Sequence, residues 1–351
     1  MAFAIGVDLG GTNLRIAAVS EQGELLKKVT TGTKVDLGRD AVITEMVAAI
    51  RELVQGFQRP GEALAGVGIG VPGIIDERTG MLRESPNLPG WHDYPVRDEI
   101  ERRLGATVIL ENDANAAAMG EKWLGAAREV PDLCMVTLGT GVGGGLIFNG
   151  RIWHGMTGMA NELGHITVDP AGPRCNCGNL GCVEQFASAT AIVRMAREAI
   201  ASGAASQLAR AATDDPEFSA KIVHNLAIQG DIPSREIFRK VGWGLGVLVA
   251  DLVNALNLHM YVIGGGVSSA WSAFAPAMFE EVRKRSFVYA ATAPEDIAKE
   301  IAEGASATLR PLRGSPRTII TRAVLGTDAG LYGAARLPML ENEAREHAKV
   351  S

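Results

Sequence analysis

The sequence predicts an α/β protein of two domains. Its 351 residues are enough to give each of two domains its own core. Short apolar runs alternate with stretches of helical spacing along most of the chain. One plan, a strand, a Gly/Thr turn and a second strand, occurs twice, at residues 3–19 and at 133–150. Two such halves facing each other would place two phosphate-contacting hairpins across one cleft.

Composition narrows the function. Apolar residues make up 47% of the chain, as in ordinary globular proteins, so disorder is not favoured. A net charge of −6 argues against a nucleic-acid surface. The 42 glycines fall in short clusters, which points to loops that approach a ligand closely. The chain passes from Met1 straight into a strand without a basic leader. Its longest apolar run, 241–258, is broken by Gly242, Gly244, Gly246, Asp251 and Asn254, which suits a buried helix and not a membrane span. A cytoplasmic protein with no membrane partner is expected.

Residues 3–7 and 14–19 are apolar strands. Between them, Gly10 and Gly11 let backbone N–H groups face an anion, Thr12 adds a hydroxyl, and Asp8 could orient a hydrated Mg²⁺ beside phosphates. A Gly-Gly hairpin also needs no ligand, and the Walker A pattern is absent. A turn at 21–24 leads to an edge strand over 25–35. Residues 39–58 have helical spacing, with Val42, Ile43, Met46, Val47, Ile50, Leu53 and Val54 on one face, and Pro60-Gly61 follows the helix end. Residues 67–73 are a strand and turn, where Gly73 allows close approach to a ligand or simply turns the chain. The irregular loop 85–91 carries Asn87, an amide able to read hydroxyls, and Trp91, an indole able to pack beside a sugar ring.

A helix over 96–104 and a buried strand over 107–110 lead to Glu111, Asn112, Asp113, Ala114 and Asn115, with a helix starting near 116. A carboxylate at a strand's end, before a helix, is a common functional position in α/β folds. Asp113 or Asn115 could equally cap the helix. The second hairpin follows the strand 133–138, and its turn, Gly139-Thr140-Gly141-Val142-Gly143-Gly144-Gly145, holds more glycine than a hairpin needs. Thr137, Gly139, Thr140, Gly141 and Gly143 are therefore read as phosphate contacts.

Helices are expected over 184–202 and 220–229, with a short one inside 203–217. Ser234 is read as the cap of a long helix ending near 257. A strand at 260–263 runs into Gly264-Gly265-Gly266. Residues 295–303 suit a helix, and Arg310, Arg313 and Arg317 mark a basic, solvated loop. A last strand at 318–320 precedes a helix from 325 with a face of small residues, and then a polar tail. Cys134, in an apolar strand, is read as a core residue.

The most informative stretch runs from His165 to Glu184. His165, Cys175, Cys177 and Cys182 supply the imidazole and soft thiolates of a tetrahedral Zn²⁺ shell. Gly178 and Gly181 allow the tight turns that bring closely spaced thiolates together. A closed structural site is favoured over a catalytic one. The alternatives are a Cys175–Cys182 disulfide or a chance cluster of buried cysteines. Glu162 and Glu184 flank the ligands, so a zinc site would clamp Glu162, His165 and Glu184 at one place, an arrangement suited to a polyhydroxyl ligand. Three cysteines used as metal ligands also fit a reducing compartment.

This stretch, Glu162-x-Gly164-His165 with Cys175-x-Cys177-Gly178-x-x-Gly181-Cys182-x-Glu184, resembles the signature of the ROK family of sugar kinases and sugar-responsive repressors. The resemblance extends from Ile5 to about Ala335. It implies an actin/hexokinase-like fold, with a smaller domain of residues 1–114 plus about 326–351 and a larger one of 115–325 carrying the zinc segment. Within the family the likeness is greatest to bacterial glucokinases. It implies ATP, Mg²⁺ and a structural Zn²⁺, with Asp113 as general base. Gly73, Asn87, Asn112, Asp113, Glu162, His165 and Glu184 would read the sugar. Asp8, Gly10, Gly11, Thr12 and the second hairpin would hold phosphates, and Gly264, Gly265 and Gly266 the adenosine. Another hexose (N-acetylmannosamine, fructose or allose) or polyphosphate as donor are the alternatives. A repressor is disfavoured because the first strand begins at Phe3, leaving no room for a helix-turn-helix. A homodimer is a family expectation.

Overall fold

The computed structural model describes residues 2–57, 63–85, 87–203, 205–293 and 317–350. The turn at Pro60-Gly61, the helix expected over 295–303 and the loop carrying Arg310 and Arg313 lie outside the described residues. Two five-stranded sheets carry the fold. The first has the order β3-β2-β1-β4-β7, and the second β10-β9-β8-β11-β12. The chain divides into two compact units, one of residues 1–131, 145–161 and 327–351, the other of 132–144 and 162–326. Segments 115–131 and 145–161, expected in the larger domain, thus group with the N-terminal strands.

In the first unit β1 (Ala2–Leu9), β2 (Asn13–Ser20) and β3 (Leu25–Gly32) form an antiparallel meander. Strands β4 (Ala63–Val71) and β7 (Val108–Asn112) join β1 in parallel. Because side chains alternate along a strand, β1 has two different faces. Phe3, Ile5, Val7 and Leu9 bury against Val42, Ile43, Met46 and Ile50 of α1 (Arg39–Phe57). Fully burying each large aliphatic chain contributes about 1.5–3 kcal/mol. The opposite face is small: Ala4 and Ala17 sit with Val19 against Leu331 and Ala335 of the last helix, α11 (Ala329–Val350). A Cβ on Gly68 would stand 1.8 Å from the Ala334 carbonyl oxygen, and one on Gly6 2.2 Å from that of Leu331. Helix α3 (Asp113–Trp123) packs as tightly, with a Gly333 Cβ 1.7 Å from the Ala116 oxygen. The small-residue face expected on the last helix is this contact. Between β4 and β7 lie a two-stranded ribbon, β5 (Ile74–Asp76) with β6 (Met81–Glu84), and α2 (Val96–Leu104).

In the second unit β8 (Leu133–Leu138), β11 (Met260–Gly264) and β12 (Ile319–Arg322) run parallel. The same sheet takes in β9 (Val142–Phe148), which follows the Gly/Thr turn, and β10 (Arg151–Ile152), which pairs with it, although residues 145–161 group with the first unit. The helix expected over 184–202 is two, α4 (Glu184–Ala187) and α5 (Ala189–Ala201). Ser188 separates them in extended conformation, and its hydroxyl accepts the Ala191 N–H at 3.0 Å, a local bond that outbids continuous helix. Helices α6 (Ser206–Asp214) and α7 (Ala220–Gln229) follow. The cap of α8 (Ile232–Leu256) is Asp231, not Ser234: its carboxylate accepts the Ser234 N–H at 3.0 Å, and Pro233 occupies the first turn. The glycines that break the apolar run let α8 lie on α9 (Trp271–Arg285), since a Gly242 Cβ would stand 2.2 Å from the Phe274 oxygen. A short α10 (Phe287–Thr292) was not anticipated. No described helix is long and apolar enough to cross a membrane.

These contacts predict opposite outcomes for two glycine substitutions. Gly333→Ala should destabilise the protein by at least about 2 kcal/mol, because backbone cannot yield as a side chain can. Gly56→Ala, in an exposed helical position with nothing within 4 Å of its added Cβ, should stabilise by up to about 1 kcal/mol. Urea unfolding of both variants checks the pair.

Candidate active site

The first unit gathers two predicted carboxylates. Asp8 is the next-to-last residue of β1, where it pairs with Gly70 of β4 on one side and Arg15 of β2 on the other. Arg15 Nη1 donates to Asp8 Oδ2 at 2.9 Å. Burial raises the Asp8 carboxyl above its usual range, and Arg15 works against that shift. Asp113 opens α3. A Cβ on Gly330, at the start of α11, would lie 3.7 Å from Asp8 Cγ and 3.8 Å from the Asp113 carbonyl oxygen. Gly70 faces the Asp113 Cα at 3.6 Å in the same sense. The ends of β1 and β4 and the starts of α3 and α11 therefore meet around Asp8 and Asp113. The start of a helix favours negative charge.

Helix α3 begins earlier than expected, and its cap is neither Asp113 nor Asn115. Asn112 Oδ1 accepts the N–H groups of Ala114 (2.9 Å) and Asn115 (3.2 Å). Its Nδ2 donates to the Gly73 carbonyl at 3.2 Å. The amide predicted to read sugar thus has one N–H left for that purpose. Gly73 has φ +129°, and a Cβ there would stand 2.2 Å from the Glu84 oxygen, so the ribbon β5–β6 itself demands glycine. Asn87 is exposed and lies beside the first hairpin: a Gly11 Cβ would be 2.9 Å from its carbonyl oxygen. Gly10 N–H closes that hairpin on the Asn13 oxygen at 2.9 Å, leaving Thr12 exposed. Trp91 is not available to a sugar, being 1% exposed in the core and edge-on to Tyr94.

In the second unit Glu184 is tied to the second hairpin. Its Oε2 accepts the Val142 N–H at 3.0 Å, and a Gly141 Cβ would stand 2.4 Å from that oxygen. The Gly139 carbonyl accepts the Ala189 N–H at 2.9 Å, and Thr140 O accepts the Thr190 hydroxyl at 2.8 Å. Glu162 and His165 flank a single helical turn whose Gly164 lies on the hairpin, its Cβ position 2.0 Å from the Val142 oxygen. Thr137 pairs with Gly264 across β8 and β11. Gly265, at φ +81°, packs on Leu138, whereas a Cβ on Gly266 would meet nothing within 4 Å. Of the triple glycine, Gly266 alone faces open space.

The predicted zinc ligands converge. The ligand atoms of His165, Cys175, Cys177 and Cys182 all lie within 4.8 Å of one another. Cys177 Sγ and Cys182 Sγ are 3.7 Å apart, and Cys175 Sγ is 3.6 Å from His165 Nδ1. Thiolates at about 2.3 Å from one tetrahedral ion are about 3.7 Å from each other, so the donor set fits zinc. All four cysteines of the chain are free, which removes the disulfide alternative. Burial, then its neighbour thiols, push the Cys182 thiol up to about 12, a repulsion a cation would relieve. With Nδ1 turned to the thiols, His165 Nε2 faces Glu162 Oε2 at 3.9 Å. Asn179 Nδ2 supports the cluster from outside, donating to Thr167 Oγ1 at 2.8 Å and to Cys182 Sγ at 3.6 Å.

Two features escaped the sequence reading. Arg15 could have been found by placing Asp8 and Arg15 opposite each other across the first hairpin. The second is a cluster of Glu77, Glu111 and His154, from three segments far apart in the chain, and no local spacing announces it.

The two sheets define a two-domain α/β protein of the actin/hexokinase-like type, and its relatives, glucokinases among them, mark it as a sugar kinase. The ROK family profile matches residues 4–310, and the chain belongs to the ROK family. It is 44% identical to the glucokinase of Thermotoga maritima over 266 residues, 76% of this chain and 82% of that protein. To the glucokinase of Halalkalibacterium halodurans it is 36% identical over 343 residues, 97% of this chain and 96% of that one. The crystal structure of a ROK family glucokinase from Streptomyces griseus in complex with glucose and AMPPNP superposes with TM-score 0.72 at 31% identity, covering 95% of this chain and 98% of that chain. The xylose repressor of Caldicellulosiruptor bescii is 31% identical over 284 residues, 81% of this chain and 71% of that protein.

The metal assignment predicts about one zinc per chain by mass spectrometry of purified protein. Cys177→Ser should lose that zinc and lower the melting temperature by several degrees. Wild-type protein that carries no zinc after growth in zinc-replete medium would overturn the assignment.

Proposed function

We propose that this sugar kinase transfers the γ-phosphoryl group of ATP to the C6 hydroxyl of glucose, with Asp113 as general base. The observation that carries this reading is the convergence of Asp8 and Asp113 around Gly330, in a chain similar to glucokinases along nearly its whole length. Asp113 accepts the C6 hydroxyl proton as O6 forms its bond to Pγ. The bond from Pγ to the bridging oxygen of ADP breaks, and ADP leaves. The proton then passes from Asp113 to solvent. Such a transition state is loose, so positioning and charge neutralisation do most of the catalysis.

Asn87, Gly73 and the remaining Asn112 N–H are assigned to the sugar, as are Glu162, His165 and Glu184. Gly10, Gly11 and Thr12 bind phosphate, with Asp8 orienting the Mg²⁺ that ATP brings. Gly139 to Gly143 bind phosphate, and Gly264 to Gly266, with the open space at Gly266, take the adenosine. Bound zinc supplies fixed geometry only. His165, Cys175, Cys177 and Cys182 would hold it, and with Nδ1 of His165 turned to the thiols, Nε2 would be left for a sugar hydroxyl. Free cysteines and a thiolate site fit a reducing cytoplasm.

Similarity to xylose repressors favours a second reading, a sugar-responsive regulator that does not turn over. ADP release measured with Mg-ATP against glucose, N-acetylmannosamine, fructose and allose separates the two. Glucose is expected to dominate. Asp113→Ala should lower kcat by about 10³-fold or more while glucose binding stays measurable by calorimetry. Substantial residual turnover in that variant would falsify the base assignment, and no turnover of any sugar by zinc-loaded wild type favours the regulator.

A further inference from the structure

We propose that His154 and Glu77 are positioning residues for Asp113, acting through the buried carboxylate of Glu111. This rests on Asp113 being the base. Glu111 is the next-to-last residue of β7, with a side chain 7% exposed. A buried carboxylate is tolerated only when its oxygens are occupied. Glu111 Oε1 accepts the Asn112 N–H at 2.8 Å and the Asn115 Nδ2 hydrogen at 3.0 Å. Those residues flank Asp113 by one and two positions, and Asn112 caps its helix. The other oxygen, Oε2, lies 2.7 Å from His154 Nε2. Glu77, in the turn between β5 and β6, contacts the same nitrogen through Oε1.

A single imidazole nitrogen thus stands between two carboxylates. Protonated, it offers each of them a positive charge; neutral, it leaves two anions facing each other across one N–H. Burial opposes the charge on His154, but the hydrogen bonds to Glu111 and Glu77 prevail and lift its pKa to about 9. The 2.7 Å contact is too short for an ion between the two atoms, since two ligands of one metal stand about 3 Å or more apart. A second link joins the same loop to the same helix start: Asn161 Nδ2 donates to Asn115 Oδ1 at 3.0 Å and to Trp153 O at 2.8 Å. Loop 153–161 therefore grips the end of β7 at Glu111 and the first turn of α3 at Asn115. Neither His154 nor Glu77 is assigned to the reacting atoms. Their effect reaches Asp113 through the angle and rigidity of the turn that carries it.

The test uses full-length His154→Gln and the milder Glu77→Gln, whose target is 37% exposed and not needed for the core. Amide hydrogen exchange is measured over residues 112–116, together with steady-state kinetics across pH. In His154→Gln, exchange in that segment should rise about tenfold. The kcat should fall about 10- to 100-fold with KM for ATP within about twofold, as expected for a misplaced base. In wild type, kcat should decline as pH rises through about 9, and Glu77→Gln should move that decline to lower pH by removing one of the two carboxylates that hold the proton. Unchanged exchange in His154→Gln, an unchanged kcat, or an alkaline limb indifferent to Glu77→Gln each overturns the proposal. If wild type phosphorylates no sugar, the kinase reading fails on its own. Exchange then still decides whether His154 holds the start of α3.

Discussion

Helix α11 lies so close to β1, β4 and α3 that backbone meets backbone where side chains would ordinarily stand. Gly6 and Gly68 open the sheet to it, and Gly120 and Gly333 open α3 and α11 to each other. Any Cβ at these points would lift the helix by more than a rotamer change can absorb. The consequence is local and chemical. Only at this separation does the start of α11 reach the end of β1, so that Gly330 faces both Asp8 and Asp113. Two acidic residues on distant segments are held together by residues that have no side chain at all.

The second unit meets a similar need by other means. Its hairpin turn is gripped by the start of α5, by Glu184 through the Val142 N–H, and by the Gly164 turn beneath it. The Glu162–His165 turn and Glu184 are the two ends of the cysteine segment, so closing that segment on one ion fixes both at once. Leu163, Val168, Cys175, Cys182 and Val183 are buried along that segment and help to order it. Its four predicted ligand atoms add to this by lying within 4.8 Å of one another.

This division explains what the sequence made legible. The α/β class, both hairpins, helix 96–104 and the cysteine–histidine cluster could be read because each rests on local spacing. The first apolar helix was legible too: Val42, Ile43, Met46 and Ile50 form one face and bury together. What stayed hidden depends on partners far away. Ser188 breaks a helix that periodicity alone would continue, and Asn112 and Asp231 take caps assigned to their neighbours. Trp91 is sequestered by packing that no loop composition reveals. Arg15 and the Glu77–His154–Glu111 cluster exist only once strands are in register and the loop after β10 has folded back.

The carboxylates differ in what restrains them. Asp8 has a positive charge beside it, from Arg15 at 2.9 Å. Glu184 is spent on a backbone N–H, so it serves as a fixed acceptor and its reach is set by the hairpin. Asp113 stands where two helix starts favour negative charge, and its Oδ1 accepts the Ala114 N–H at 2.9 Å. A first helical turn frays readily unless something outside the helix holds it. Glu111 is the group that does so, and a carboxylate buried there needs a counter-charge of its own. The imidazole of His154 is the charge that the loop after β10 delivers to it.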